Sequence, residues 1–231
     1  RGFATGATNH LLGMTGADSL IGGDGADTLS GGGDADTISG GAGSDSLDGG
    51  TGQDVLSYEG AAGKVVVNLE GGAASVETDT DTVSGFEIVL GSSFGDVVIA
   101  GSTAATLIGA DGGDTLQGGL GADSLVGGEG DDQVIAGTGF DTLDGGNGTD
   151  TLFINGGPAF VDLPNGVMTM SGWGASLSLL EVVVASGVAI TVAGSTAAET
   201  VVGDTGADSI LGDGGADSLV GGTGNDTLSG G

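Results

Sequence analysis

The sequence returns to the same nine-residue pattern through most of its length. Six nonads run without a break over 4–57, seven over 91–153, and five more begin at residue 185. Their consensus is G-G-x-G-x-D-x-U-x, where U is aliphatic, and GGDGADTLS at 22–30 is one copy. So short a period constrains the fold more than any other feature, because every copy must form the same small unit beside the last.

Each nonad divides into a turn and a short strand. Thr28, Leu29 and Ser30 suit a strand whose central side chain points inward. The six residues from Gly22 to Asp27 suit a turn, because glycine tolerates positive φ. Two nonads then form one coil of eighteen residues, and coils stack about 4.8 Å apart as parallel strands. We therefore predict an all-β fold, a right-handed parallel β-roll or β-solenoid with two nonads per coil and little or no helix.

The composition agrees with such a coil and excludes simpler explanations of the glycine content. The 231 residues include 55 Gly but only 2 Pro, and no Gly-X-Y triplet repeats, which excludes collagen. Hydrophobic residues make up 38%, which is too many for a disordered acidic tail. Only 3% are aromatic, so the interior must be filled by in-phase aliphatic side chains. These are, in the first block, Leu20, Leu29, Ile38, Leu47 and Leu56.

Position six of the nonad carries the candidate metal ligands. It is aspartate in fourteen copies: Asp18, Asp27, Asp36, Asp45, Asp54, Asp96, Asp114, Asp123, Asp132, Asp141, Asp150, Asp208, Asp217 and Asp226. Stacking brings carboxylates from nonads two apart close enough to repel, and a hard divalent cation would remove that repulsion. Calcium accepts six to eight oxygen ligands, whereas magnesium requires a tighter octahedron. The stacked Asp–Asp pairs predict about eight calcium sites.

Four nonads depart from the aspartate pattern. Ala105 and Ile190 stand at position six and should not bind calcium. Asn9 and Glu199 occupy the same position and are weak candidates for ligands.

The nonads closely resemble the hemolysin-type, or RTX, calcium-binding repeat family. The resemblance covers roughly two-thirds of the chain, and eighteen copies in one frame make it very specific. It implies a β-roll that folds on binding calcium, in a secreted protein exported through a type I channel. The chain starts at Arg1 and stops within the repeat, so we expect it to be part of something longer.

Charge and motif content exclude several classes of function. The net charge of −30 disfavours binding to nucleic acid and to anionic membranes. The chain lacks cysteine, so it has no disulfide or thiolate metal site, and no apolar run is long enough to span a bilayer. Neither a Ser/His/Asp arrangement nor a phosphate loop is evident. We predict that the protein is not an enzyme, that the single His10 faces solvent, that Tyr58 caps the last coil of the first block, and that Trp173 has a packing role.

Two inserts separate the nonad blocks. We divide the chain into 4–57, 58–90, 91–153, 154–184 and 185–231, one continuous solenoid in which the second and fourth segments are the inserts. VNLEGG at 67–72 matches VDLPNG at 161–166, and FEIVLGS at 86–92 matches LEVVVAS at 180–186. Both matches have an offset of 94 residues, so a larger unit repeats. Alternating apolar residues predict insert strands that continue the solenoid. An alternative is a small bulge with its own function.

Two functions remain open from the sequence. The first is an extracellular structural segment of a surface-layer, adhesin or fibre protein at the bacterial cell surface, stiffened by calcium and self-associating with neighbouring copies. The alternative is the calcium-dependent folding and secretion module of a type I-secreted enzyme or toxin. Ice binding is disfavoured, because position five (Ala17, Ala26, Ala35) carries no regular threonine ladder.

Overall fold

Every regular element in the described residues is a β-strand. The computed structural model describes residues 6–155, 159–163, 165–170 and 173–231. The first nonad block forms β1 (His10–Thr15), β2 (Ser19–Asp24), β3 (Thr28–Gly33), β4 (Thr37–Ala42), β5 (Ser46–Thr51) and β6 (Val55–Ser57). The first insert forms β7 (Val65–Asn68), β8 (Ala73–Val76), β9 (Asp79–Ser84) and β10 (Ile88–Leu90).

The rest of the chain follows the same order. The second block forms β11 (Val97–Ile99), β12 (Thr106–Asp111), β13 (Thr115–Gln117), β14 (Ser124–Glu129), β15 (Gln133–Ile135), β16 (Phe140–Asn147) and β17 (Thr151–Ile154). The second insert forms β18 (Ala159–Asp162), β19 (Val167–Met170), β20 (Trp173–Ser178) and β21 (Val182–Ala185). The third block forms β22 (Ile190–Ala193), β23 (Thr200–Val202), β24 (Ser209–Leu211), β25 (Ser218–Val220) and β26 (Thr227–Ser229).

Successive strands of the nonad blocks alternate between two sheets, which confirms the predicted coil of two nonads. We call the sheet that contains β1 sheet 1 and the sheet that contains β2 sheet 2; each has 13 strands in the described part of the chain. Neighbouring strands pair in parallel, so Leu11 lies beside Leu29 and Leu29 beside Leu47. Leu20 likewise lies beside Ile38 in sheet 2. The all-β parallel β-roll predicted from the nonads is therefore correct.

Single aliphatic side chains from each strand fill the space between the sheets. Leu29, Ile38, Leu47 and Leu56 are at most 1% exposed, while Leu20, in the first coils, is only partly buried. The two columns continue through the second block with Leu107, Leu116, Leu125, Val134, Leu143 and Leu152, each fully buried. Burying one such side chain contributes roughly 1.5–3 kcal/mol. The core is therefore narrow, with one main residue per strand.

The inserts contain antiparallel strands, which the sequence did not lead us to predict. In sheet 1 the chain runs through β7, β8 and β9 as an antiparallel meander, with β9 parallel to β5 and β7 parallel to β11. The second insert repeats this meander with β18, β19 and β20, but in sheet 2. From β9, the last strand of the first meander, to β18 the chain changes sheet nine times, and this odd number of changes puts the equivalent insert in the opposite sheet. Each meander thus enlarges one face of the solenoid.

Candidate calcium sites

The predicted aspartates lie on the two edges of the roll, each just before a strand except Asp141, which is the second residue of β16. Eleven of them are at most 3% exposed: Asp27, Asp36, Asp45, Asp54, Asp96, Asp114, Asp123, Asp132, Asp141, Asp150 and Asp208. Asp18, Asp217 and Asp226 are half-buried. Carboxylates are rarely buried without a partner, because removing the charge from water is costly. So many buried carboxylates indicate that something other than solvent must satisfy them.

In each of these aspartates except Asp18, one carboxylate oxygen accepts a backbone N–H from the preceding coil. The backbone N–H of Asp18 donates to Oδ1 of Asp36 over 2.8 Å, and the N–H of Asp36 donates to Oδ1 of Asp54 over 2.8 Å. The same bond, over eighteen residues, joins Asp27 to Asp45, Asp96 to Asp114, Asp114 to Asp132, Asp123 to Asp141, Asp132 to Asp150 and Asp208 to Asp226. The structure therefore brings together all eight Asp–Asp pairs that the sequence predicted.

The other oxygen of most of these carboxylates is buried and has no protein partner among the described residues. Such unpartnered Oδ2 atoms belong to Asp18, Asp27, Asp36, Asp45, Asp54, Asp114, Asp123, Asp132, Asp141, Asp150, Asp208 and Asp217. A buried acceptor left unsatisfied costs roughly 1–3 kcal/mol, and more if it is charged. A cation bound beside each pair of these oxygens would remove this cost along both edges of the roll.

Backbone carbonyls from the next coil converge on the same space. A Cβ added to Gly13, at position one, would lie 2.7 Å from Oδ2 of Asp18 and 2.5 Å from the carbonyl oxygen of Gly31. A Cβ on Gly91 would meet Asp96 and the carbonyl of Gly109 in the same way. Position one must therefore be small, and two kinds of hard oxygen face each other there.

The donor set fits calcium. Among the described residues, no three His, Cys, Asp or Glu side chains converge to hold a metal, so carbonyl oxygens or water must complete any coordination shell. Calcium accepts mixed shells of carboxylate and carbonyl oxygens, which these turns supply. When bound, the ion would neutralise the buried carboxylates and link one coil to the next.

Burial shifts the titration of these carboxyl groups. Desolvation, with help from neighbouring carboxylates, raises the pKa of Asp114 to about 7. Desolvation likewise raises the pKa values of Asp45, Asp123 and Asp132 to about 6. The backbone N–H bonds oppose the rise without cancelling it. Near neutral pH, protons and cations therefore compete for the same oxygens.

The aspartates stacked along each edge of the roll form a row, and glutamates in the inserts extend two of these rows. The sequence analysis missed these glutamates. The N–H of Asp54 donates to Oε2 of Glu87 over 3.0 Å, and the N–H of Asp150 donates to Oε2 of Glu181 over 2.9 Å. The row of Asp54 therefore continues into the first insert. Glu87 and Glu181 stand at equivalent places in FEIV and LEVV. That 94-residue match was the signal that could have revealed them.

Two carboxylates are satisfied by the protein itself. Asp81 in β9, also missed, accepts the N–H of Asp45 over 2.9 Å and the hydroxyl of buried Tyr58 over 2.7 Å. Asp96 accepts the N–H of Ser92 over 2.6 Å and its hydroxyl over 3.0 Å. These side-chain and backbone donors take the place that a cation would have beside the other members of the row.

At three nonads without an acidic residue at position six, the side chain offers no carboxylate to a cation. Asn9 donates its amide to the carbonyl oxygen of Gly22 over 3.1 Å, so a neutral donor fills this turn. Ala105 and Ile190 only donate backbone N–H groups, to Asp123 and Asp208. His10 is exposed on β1.

The side chain of Trp173 lies outside the described part of the chain, so its predicted packing role stays a prediction. The described residues contain no helix of the length and hydrophobicity needed to cross a bilayer.

Comparison with known families agrees with this geometry. The family described as RTX calcium-binding nonapeptide repeat (4 copies) matches residues 3–38, 21–56, 90–125, 99–134, 108–143, 126–158 and 194–228. Together these matches cover more than half of the chain and avoid most of each insert. No curated protein matches it.

Proposed function

The chain belongs to the family of RTX calcium-binding nonapeptide repeats, and from this premise we propose that it is an extracellular structural segment that folds when calcium binds. The role is mechanical rather than enzymatic. The observation that carries the proposal is the double row of buried Oδ2 atoms without a protein partner. Without cations these rows oppose folding, so binding energy becomes folding energy.

The concentration of free calcium would decide where the protein folds. Calcium modules outside cells commonly have dissociation constants of roughly 10⁻⁴–10⁻³ M. At such an affinity the chain stays largely unfolded in a calcium-poor cytosol and folds after export. The glycine-rich turns reinforce this dependence, because ordering them costs a large conformational entropy that the narrow core does not offset.

We place the segment in a surface-layer, adhesin or fibre protein whose copies associate side by side. Phe153, Val184, Val202 and Val220 lie in register along the outer face of sheet 1. They alternate with buried residues such as Val183 and Val201, so they point away from the core. On a chain with a net charge of −30, an uncharged apolar row is where two copies can approach without repulsion.

Calcium titration combined with scattering tests the proposal. Circular dichroism should change from disordered to β-rich as calcium rises, and scattering should then show an elongated particle. Val202→Lys should weaken association at high concentration, whereas Ser39→Lys, which adds the same charge to sheet 2, should not. A fold that survives chelation would contradict the calcium switch. A calcium-folded chain that stays monomeric at high concentration would favour a secretion module of an enzyme or toxin.

A further inference from the structure

One buried carboxylate differs from the aspartates of the rows. Glu199 is 4% exposed, and its Oε2 is buried without a partner in the part of the chain that the structure describes. Its Oε1 accepts both the hydroxyl and the N–H of Ser195, in the same turn. The N–H of Glu181, on the preceding coil, donates to the carbonyl of Asp150 and not to Glu199. The bond that holds each Asp–Asp pair is thus absent here.

Two glutamates lie side by side at this place. Val182 pairs with Thr200 in parallel register, so Glu181 and Glu199 immediately before them occupy neighbouring coils. Both line a cavity of about 170 Å³ between the second insert and the third block, together with Ser178 and Ser195. None of the described lining residues carries a positive charge. Two adjacent carboxylates in a partly enclosed space repel each other unless a cation lies between them.

The cavity is large enough for a hydrated ion. It could hold an ion with several waters at about 30 Å³ each. Its lining offers carboxylate and hydroxyl oxygens, which are hard ligands. Magnesium keeps part of its water shell when bound to proteins, so a roomy site accepts it more readily than a tight turn does.

The first insert provides an internal comparison. Glu87 has the place of Glu181, but the residue in register with it on the next coil is Ala105 instead of a glutamate. Ala105 follows GSTA at 101–104, much as Glu199 follows GSTAA at 194–198. The second unit therefore has one extra carboxylate at a position where the first has a methyl group.

We infer that Glu181 and Glu199 bind one partly hydrated divalent cation, calcium or magnesium, in the cavity that they line. The ion joins the second insert to the third nonad block, where the ordinary hydrogen bond is missing. The inference rests on the proposed calcium-dependent fold, because the cavity exists only once the coils have stacked.

Native mass spectrometry of the calcium-saturated protein tests this by counting ions. Glu199→Gln should bind one calcium fewer than the parent, and Glu181→Gln should give the same loss. The control Glu70→Gln, which changes an exposed glutamate, should lose none. Added magnesium should exchange with one calcium in the parent and with none in Glu199→Gln. If Glu199→Gln fails to fold, Glu181→Gln carries the test, since its amide oxygen can still accept the N–H of Asp150.

The two proposals fail in different ways. A parent protein that folds with calcium, while both glutamine variants bind the same number of ions as the parent, overturns the glutamate site alone. A parent that folds without taking up any calcium overturns the calcium-dependent function and the glutamate site with it.

Discussion

At the scale of single residues, this protein satisfies buried carboxylates in two ways. Most row aspartates accept one backbone N–H and leave Oδ2 without a protein donor, as Asp36 does. Asp81 is different, because the Tyr58 hydroxyl occupies its second oxygen. The second unit has Ile154 and Ala175 at the equivalent places, so the polar pair is replaced by an apolar one. A hydroxyl donor and a cation are thus alternative partners for the same kind of oxygen.

Replacing Tyr58 by phenylalanine tests this equivalence. Tyr58→Phe should lower the free energy of unfolding by about 1–3 kcal/mol, because Oδ2 of Asp81 loses its donor. The Tyr58 bond lowers the pKa of Asp81, which burial otherwise raises, so losing it raises this pKa further. Urea denaturation in calcium should therefore show a larger loss at pH 8 than at pH 5, because the ionised carboxylate is the form that depends on the hydroxyl donor. An equal loss at both pH values would contradict the role of the hydroxyl.

The row that contains Asp36, Asp54 and Glu87 gives a second test. Asp36 and Asp54 each accept an N–H from the coil below and donate to a carboxylate above, which for Asp54 is that of Glu87. Asp36→Ala and Asp54→Ala should therefore raise the calcium midpoint of folding by similar factors. Asp24→Ala removes an exposed aspartate and should leave the midpoint nearly unchanged. If Asp54→Ala behaves like Asp24→Ala, Glu87 does not extend the row.

At the scale of the turn, glycine has different tasks at adjacent positions. Gly32, at position two, has φ of 108°, a conformation that side chains rarely adopt. Gly31, at position one, has an ordinary φ but no space, because its added Cβ would lie 2.6 Å from the carbonyl oxygen of Gly49 and against Oδ2 of Asp36. Gly32 is thus restricted both by its φ and by space, because its added Cβ would meet the carbonyl oxygen of Met14, whereas Gly31 is restricted only by the approach of oxygens from two coils.

Gly31→Ala should therefore disturb both packing and calcium binding. We expect a loss of about 1–3 kcal/mol in calcium, typical of overpacking, and a higher calcium midpoint because Oδ2 of Asp36 must move. Gly60→Ala is the matched control, since a Cβ there meets nothing within 4 Å. Calcium titrations of the two variants followed by circular dichroism make the comparison. Equal midpoints would show that position one does not border the cation site.

At the scale of the whole molecule, the two inserts act on opposite faces. Each adds two strands beyond the regular alternation, and at about 4.8 Å per strand this lengthens one face by roughly 10 Å. The first insert lengthens sheet 1 and the second lengthens sheet 2, so both sheets have 13 strands over the described residues. The first insert makes sheet 1 longer than sheet 2, which would bend the solenoid, and the second insert offsets this difference. The 94-residue unit can therefore repeat while the solenoid keeps its direction.

The stability of the metal-free molecule should depend on pH in the direction opposite to ordinary acid denaturation. Burial raises the pKa of Asp114 from 3.8 to about 7 and those of three other row aspartates to about 6. Between about pH 4 and 7 the folded state then binds more protons than the unfolded state, so stability falls as pH rises. With a chelator present, thermal unfolding should show that the metal-free protein keeps more β-structure at pH 5 than at pH 8. Greater metal-free stability at pH 8 would contradict the shifted pKa values.

The repeat made the main architecture readable from the sequence. Leu29 and Asp36 each have a neighbour of the same kind one coil away, so a local pattern of nine residues determined both the core column and the ligand row. The burial of the aliphatic residue and the need for a small residue at position one both depend on contacts within one coil or with the next. Such contacts always have the same separation in sequence, so a periodic pattern reveals them.

Only the tertiary structure decided how the inserts close the gaps between blocks. Asp45 meets Asp81 over 36 residues and Asp54 meets Glu87 over 33, separations that the period of nine does not predict together. Antiparallel pairing, the change of sheet from one insert to the next, and the Tyr58–Asp81 bond all depend on where the meander folds back. The nonads by themselves determined a calcium-dependent β-roll, whereas packing between distant segments decided which carboxylates receive a protein donor and which are left for a cation.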